Sequence, residues 1–297
     1  PWATLPAAVA AADDGDPPLA VPQRLPSELA GLAELPFEQL SRLEQAVLGR
    51  WLDTALQAWP TRRSRRFAVD RRGHRVAMRP TLARARRTGW EPAKLVRVRA
   101  LQRPRRVVLV CDVSQSMQAQ ASAYLHLARA LALRADAEVF AFATTLTRLT
   151  PVLAERSAEV AIEQASAKVL DRFGGTRIAS NLTVLLGSHH AGALRGAVVI
   201  IGSDGWDSEP PHQLAAVMAR LNRRAHRVIW MNPRASAPGF EPRVATMAAA
   251  LPYCDEFLPA DTFASLQRVL AAVARHANRA CLSSTASRGS TGGTGPR

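Results

Sequence analysis

This sequence predicts a doubly wound α/β domain with a mostly parallel sheet and helices on both faces, and three observations predict it. From Arg106 onward, short apolar runs alternate with amphipathic stretches of helical length. The runs Val107-Val108-Leu109-Val110-Cys111 and Ala197-Val198-Val199-Ile200-Ile201 are apolar at every position, as strands covered on both faces must be. The order is strand, then helix, repeated, which is the grammar of parallel βα units.

Taken in order, residues 1–26 are rich in Ala, Pro and Asp and predict a flexible lead-in. Residues 27–105 form a helical and basic N-terminal extension. Within it Leu40, Leu43, Val47, Leu48, Trp51, Leu52 and Leu56 recur at helical spacing, with Glu38, Arg42 and Glu44 off that stripe, so an amphipathic helix or helical pair is expected. The alternation Leu95-Val96-Arg97-Val98-Arg99 predicts an edge strand with one charged face. The α/β domain is expected over 106–280. Strands are predicted at 106–112, 138–143, 197–203, 226–232 and 254–258, and helices at 119–134, 157–169, 177–187, 210–223, 241–250 and 262–276. The Ser, Thr and Gly of 281–297 predict a disordered tail.

Charge is concentrated. Residues 62–106 hold 17 Lys and Arg against two acids, Asp70 and Glu91, which is the whole net charge of +15. Such a segment suits acidic patches on a partner or on this protein's own α/β domain. It also fits the phosphate footprint of a nucleic-acid binder, a reading weakened by little aromatic interleaving and no nucleic-acid motif. Cys111, Cys254 and Cys281 are widely spaced and odd in number, which argues for reduced thiols rather than disulfides or a zinc site. No apolar run approaches the roughly 20 residues of a transmembrane segment. With no signal-peptide pattern at its start, the chain is expected to be cytoplasmic.

The chemistry gathers at predicted strand ends, where open α/β sheets bind ligands. Asp112-Val113-Ser114-Gln115-Ser116 ends the first strand with one carboxylate and two hydroxyls on alternate residues. Ser203-Asp204-Gly205 follows another strand, and Gly174-Gly175-Thr176 leads into a helix. Asp112, Ser114, Ser116, Thr176 and Asp204 are therefore the expected metal ligands. Hard oxygens without thiolate or imidazole suit Mg²⁺ (or Mn²⁺), with room for an acidic residue of another protein. Helix capping by Asp112, Ser114 and Ser116 is the plainer alternative. Asp207 and Glu209 are expected to cap the following helix, Trp230 to pack, and Trp206 to pack or shape the mouth of the site. His189-His190 falls in an expected solvated loop.

Asp-x-Ser-x-Ser, a distant Gly-Gly-Thr and a later Ser-Asp-Gly, in that order, resemble the metal-ion-dependent adhesion site (MIDAS) of von Willebrand factor A (VWA) domains. Further stretches resemble the CoxE-like family: Arg86-Arg87-Thr88-Gly89-Trp90-Glu91-Pro92, Phe140-Ala141-Phe142-Ala143, Ser203-Asp204-Gly205-Trp206-Asp207 and Val228-Ile229-Trp230-Met231-Asn232-Pro233. The resemblance spans roughly 27–275 and keeps all five ligand positions, while Gln115, Trp90 and Phe173 depart from the usual pattern. It implies a VWA / Rossmann-like fold and a bacterial accessory protein beside a MoxR-type AAA+ ATPase. The client implied is an oxidoreductase, such as a molybdenum-containing carbon monoxide dehydrogenase or another molybdenum hydroxylase.

The competing reading is a Mg²⁺-dependent phosphoryl-transfer or hydrolytic enzyme with Asp112 as nucleophile. Against it, position 114 is a serine rather than a second acid, the only lysines are Lys94 and Lys168, and there is no GxxxxGK[ST] loop. A non-enzymatic interaction protein is therefore the expectation.

Overall fold

A computed structural model describes residues 31–56, 61–91, 94–169, 175–237, 240 and 245–278. The predicted lead-in at 1–26 and tail at 281–297 lie outside them. The chain divides into two compact units, the smaller containing Arg62–Leu101 and the larger the residues on either side.

In chain order the elements are α1 (Arg42–Ala55), β1 (Thr61–Val69), β2 (Arg75–Val76), α2 (Met78–Ala85), β3 (Arg97–Pro104), β4 (Val107–Asp112), α3 (Gln118–Arg134), β5 (Glu138–Phe142) and β6 (Leu146–Arg148). There follow α4 (Thr150–Leu153), α5 (Ala158–Lys168), α6 (Ile178–Gly187), β7 (Val198–Gly202), α7 (Pro211–Arg224), β8 (Arg227–Asn232), α8 (Ala245–Ala250), β9 (Glu256–Pro259) and α9 (Phe263–Asn278).

The larger unit is built on a six-stranded sheet, order β6-β5-β4-β7-β8-β9, parallel except for β6. The fully apolar strands explain its two-sided cover. Val107, Leu109 and Cys111 point into one core layer with residues of α1, α3 and α9. Val108 and Val110 point into the other, with Leu182 and Leu185 of α6 and Leu214, Met218 and Leu221 of α7. Cys111 is buried, as its strand position predicted. The doubly wound α/β fold is the one the sequence predicts, and the first four predicted strands match β4, β5, β7 and β8 within a residue at each end. The first four residues of the helix predicted at 241–250 lie outside the described residues; Ala245–Ala250 is helical.

Some expectations need correction. Leu43, placed on the apolar stripe of the first helix, is 81% exposed, whereas Trp51, Leu52 and Leu56 are buried in the layer that α3 and α9 share. The helix that the sequence grouped with the basic segment thus packs with the sheet unit. Strand β6 and the short α4 were not foreseen; three residues carry too little periodicity to read. In the smaller unit β3 is the centre of a three-stranded sheet, order β1-β3-β2, and not an edge strand. The alternation itself holds: Val96 and Val98 are buried, Arg97 and Arg99 stay exposed, and the Val96 N–H donates to the buried Thr81 Oγ1 of α2 at 3.0 Å. Arg75 and Arg86 lie over the rings of the exposed Phe67 and Trp90, at 5.0 and 5.8 Å. No described helix is long and apolar enough to cross a membrane.

Candidate metal centre

The sheet register decides which residues meet. Parallel pairing sets Asp112 opposite Phe142 of β5 and Cys111 opposite Gly202 of β7. Asp112 and Ser203 therefore emerge at one carboxyl edge. Ser203 Oγ donates to Asp112 Oδ2 at 2.8 Å, and the Ser114 backbone N–H donates to Oδ1 at 2.9 Å. The Asp112 carboxyl is fully buried. That burial raises its pKa to about 6; hydrogen bonds from Ser114 and Ser203 oppose the rise, and the charge of Asp204 adds to it.

Ser114 is buried, Ser116 is exposed, and their hydroxyls lie 3.2 Å apart. Ser114 occupies the cap position of the 3₁₀ turn Gln115–Met117, yet makes no side-chain capping bond, and α3 begins without one. The capping alternative thus finds no cap bond from Ser114 or Ser116, whose hydroxyls instead face each other.

Thr176 is buried at the entry to α6. Its carbonyl accepts both the N–H and the Oγ–H of Ser208, at 3.0 and 2.7 Å, which ties its loop to the one after β7. On the other side the Arg177 N–H donates to the carbonyl of Ala143, just past β5, and so does the buried Asn181 Nδ2 at 3.2 Å. Gly175 adopts φ +81°, a left-handed turn that favours glycine. Of the motif's other glycine, Gly174 lies outside the described residues.

Asp204 is 3% exposed. Its Oδ1 accepts the Trp206 N–H at 3.1 Å. Its Oδ2 is buried and accepts no hydrogen bond among the described residues; Arg234 Nη2 stands 3.4 Å away as an ion-pair partner only. The loop is pinned through three carbonyls: Trp230 Nε1 donates to Ser203, Asn232 Nδ2 to Asp204 and Thr246 Oγ1 to Gly205, all within 3.0 Å. Gly205 sits at φ +83°, and a Cβ there would come within 2.7 Å of Met247 Sδ. Trp230 is core, as expected; Trp206 is 54% exposed beside Asp204, with Arg234 over its ring at 5.1 Å.

The five expected residues thus stand on three interlinked loops at one sheet edge. Asp207 and Glu209 are the correction: they accept the N–H groups of Ala179 and Ser180, so they cap α6 and not the helix that follows them. Ser203, Asn232 and Arg234 are neighbours of these carboxylates to which the sequence assigned no role. Ser203 was signalled by its place at a strand end and in the Ser-Asp-Gly motif. Among the described residues no three His, Cys, Asp or Glu side chains cluster as a metal site. What the edge gathers instead is two buried carboxylates and nearby hydroxyls, with one guanidinium beside them. A buried carboxylate oxygen without a hydrogen bond, close to a second carboxylate of raised pKa, fits a hard divalent cation.

A search of the curated proteins returned no match. Among solved structures the chain is similar to proximal thread matrix protein 1 of the mussel byssus, including a form with a zinc-occupied MIDAS motif. In that form the match is 16% identical over 58% of this chain and 47% of the other, with TM-score 0.40. A von Willebrand factor type A protein from Catenulispora acidiphila is 16% identical over 60% of this chain and 43% of that one, with TM-score 0.44. BatB from Bacteroides thetaiotaomicron is 16% identical over 57% and 96%, with TM-score 0.40. The chain spans about half the length of the mussel proteins it matches, 47% and 45%. The model of the family "VWA domain containing CoxE-like protein" matches residues 48–266, well over half of the chain. This protein belongs to the CoxE-like VWA-domain family.

Proposed function

We propose that the protein is a cytoplasmic, non-enzymatic interaction protein whose capture of a partner depends on Mg²⁺ or Mn²⁺ held at Asp112, Ser114, Ser116, Thr176 and Asp204. Family membership supports a VWA-type role in protein interaction. The observation that carries the metal reading is Asp204 Oδ2, a buried carboxylate oxygen that accepts no hydrogen bond among the described residues. Asp112 and Asp204 supply the charge, and the Ser114, Ser116 and Thr176 hydroxyls are neutral donors that leave that charge only partly matched. The bound ion would supply a Lewis-acidic position for an Asp or Glu of the partner. The arginines of 62–106 add long-range attraction for the same acidic surface.

On the family resemblance, the partner is a MoxR-type AAA+ ATPase and the task is maturation of an oxidoreductase such as a molybdenum hydroxylase. The absence of a phosphate-binding loop from the sequence accords with leaving ATP hydrolysis to that partner. Affinity capture with purified MoxR-type ATPase is the test. Binding is expected in Mg²⁺ and lost both in EDTA and with Asp112→Ala. Equal capture in all three conditions would reject the reading, and turnover of phosphate esters that is lost in Asp112→Asn would favour the enzyme instead.

A further inference from the structure

We infer that Arg234 is a built-in counter-cation of this site, holding Asp204 in the metal-free protein and yielding it to a divalent ion, so that it sets the metal affinity. The inference rests on the metal reading above and goes beyond it to a residue outside the five.

Three contacts converge on Arg234. Its Nη2 lies 3.4 Å from Asp204 Oδ2, an oxygen that nothing else partners among the described residues. Its guanidinium rests on the ring of Trp206, whose own N–H donates to Asp204 Oδ1. Its backbone N–H donates at 2.8 Å to Asn232 Oδ1, and the same Asn232 gives its Nδ2 to the carbonyl of Asp204. Arg234, Trp206 and Asn232 thus form a closed set around one carboxylate.

An ordinary surface ion pair does not look like this. The Asp204 side chain is fully buried while that of Arg234 is 48% exposed, so a buried charge is matched from the rim by a group free to swing away. Desolvation makes an unmatched Asp204 carboxylate expensive, which favours some cation at that point in every state of the protein. A guanidinium and a divalent ion cannot both stand within a few ångströms of Oδ2 without strong repulsion. Arg234 must therefore leave Oδ2 as metal enters, and its position over Trp206 makes the exchange visible in that ring.

Removing the competitor should tighten the metal about two- to fivefold, the range expected of an ion pair exposed on one side. The test titrates Mg²⁺ and Mn²⁺ into the full chain, by calorimetry for affinity and by tryptophan fluorescence for the ring. Arg234→Gln is expected to bind several-fold more tightly than wild type, and Arg234→Lys, which keeps the charge, close to wild type. Wild type should show a metal-dependent fluorescence change that Trp206→Phe loses while still binding metal. Equal affinity in wild type and Arg234→Gln, or a fluorescence change as large in Trp206→Phe as in wild type, would overturn the counter-cation role and leave the metal site standing. Absence of binding to both wild type and Arg234→Gln would overturn the metal reading and this inference together.

Discussion

Asp112→Asn should stabilise the metal-free protein at neutral and alkaline pH. In the fold the Asp112 carboxyl has its pKa raised from 3.8 to about 6, chiefly by burial. A raised acid contributes its stability fully below the unfolded value, and that contribution is lost as pH rises through the folded one. Above pH 6 the buried charge then costs about 3 kcal/mol, because each tenfold change in proton affinity is worth about 1.4 kcal/mol. Asparagine removes that cost. It keeps an acceptor for the Ser114 N–H and offers a donor to Ser203 Oγ, but rearranging those bonds takes back about 1 kcal/mol. The net gain of about 2 kcal/mol corresponds to about 4–8 °C in Tm for a domain of this size. The assay is thermal melting of wild type and variant in EDTA at pH 5 and pH 8. Other titrating groups cancel in the double difference, so the advantage of the variant should grow from pH 5 to pH 8. Added Mg²⁺ should then raise the Tm of wild type at pH 8 and leave the variant unmoved. An Asp112→Asn protein destabilised equally at both pH values would refute the claim that this carboxylate is held against its own desolvation.

The surrounding contacts carry further expected outcomes. Gly205→Ala, at φ +83° and with Met247 Sδ 2.7 Å from the new Cβ, should lose about 1–3 kcal/mol in urea denaturation. Shortening Met247 to Ala should not restore it, because the backbone strain remains. Asn181→Ala frees the carbonyls of Ala143 and Arg177 from a buried donor, which predicts a loss of about 1–3 kcal/mol and faster hydrogen exchange around Thr176. Capture of an acidic partner should weaken steeply between 50 and 300 mM NaCl, assay conditions that shorten the screening length by a little more than half, to about 5–6 Å at the upper one. Neutralising Arg71, Arg72, Arg86 and Arg87 together should flatten that dependence, and a salt-insensitive affinity would show that the basic segment is not part of the contact.

What was legible in the sequence came from local signals. Uniformly apolar strands such as Val107–Cys111 announce a sheet covered on both faces, and Asp112 and Asp204 are recognisable because a carboxylate directly after such a strand has nothing to do in a core. The neighbours that tune those carboxylates were not legible, since their roles arise from strand order. Asn232 ends β8 and reaches Asp204 because β8 pairs with β7, a fact no single strand carries. Arg234 follows it in a turn and reads locally as one more solvated arginine. The capping of α6 by Asp207 and Glu209 was hidden for the same reason, since their partners Ala179 and Ser180 lie about thirty positions back along the chain. Leu43 misled in the opposite direction. Its spacing matched the stripe, yet it is exposed, because period alone does not say which turns of a helix meet a neighbour.

Partner capture and the role of Arg234 both require that this sheet edge hold a metal ion. Free Mn²⁺ measured by its paramagnetic resonance, during titration into the full chain at pH 7.5, tests that most directly. Binding of Mn²⁺ by wild type at a single class of sites, competed by Mg²⁺ and lost in Asp112→Ala and in Asp204→Ala, is the predicted result. Binding that persists unchanged in both variants, or no binding by the wild-type chain, would contradict it.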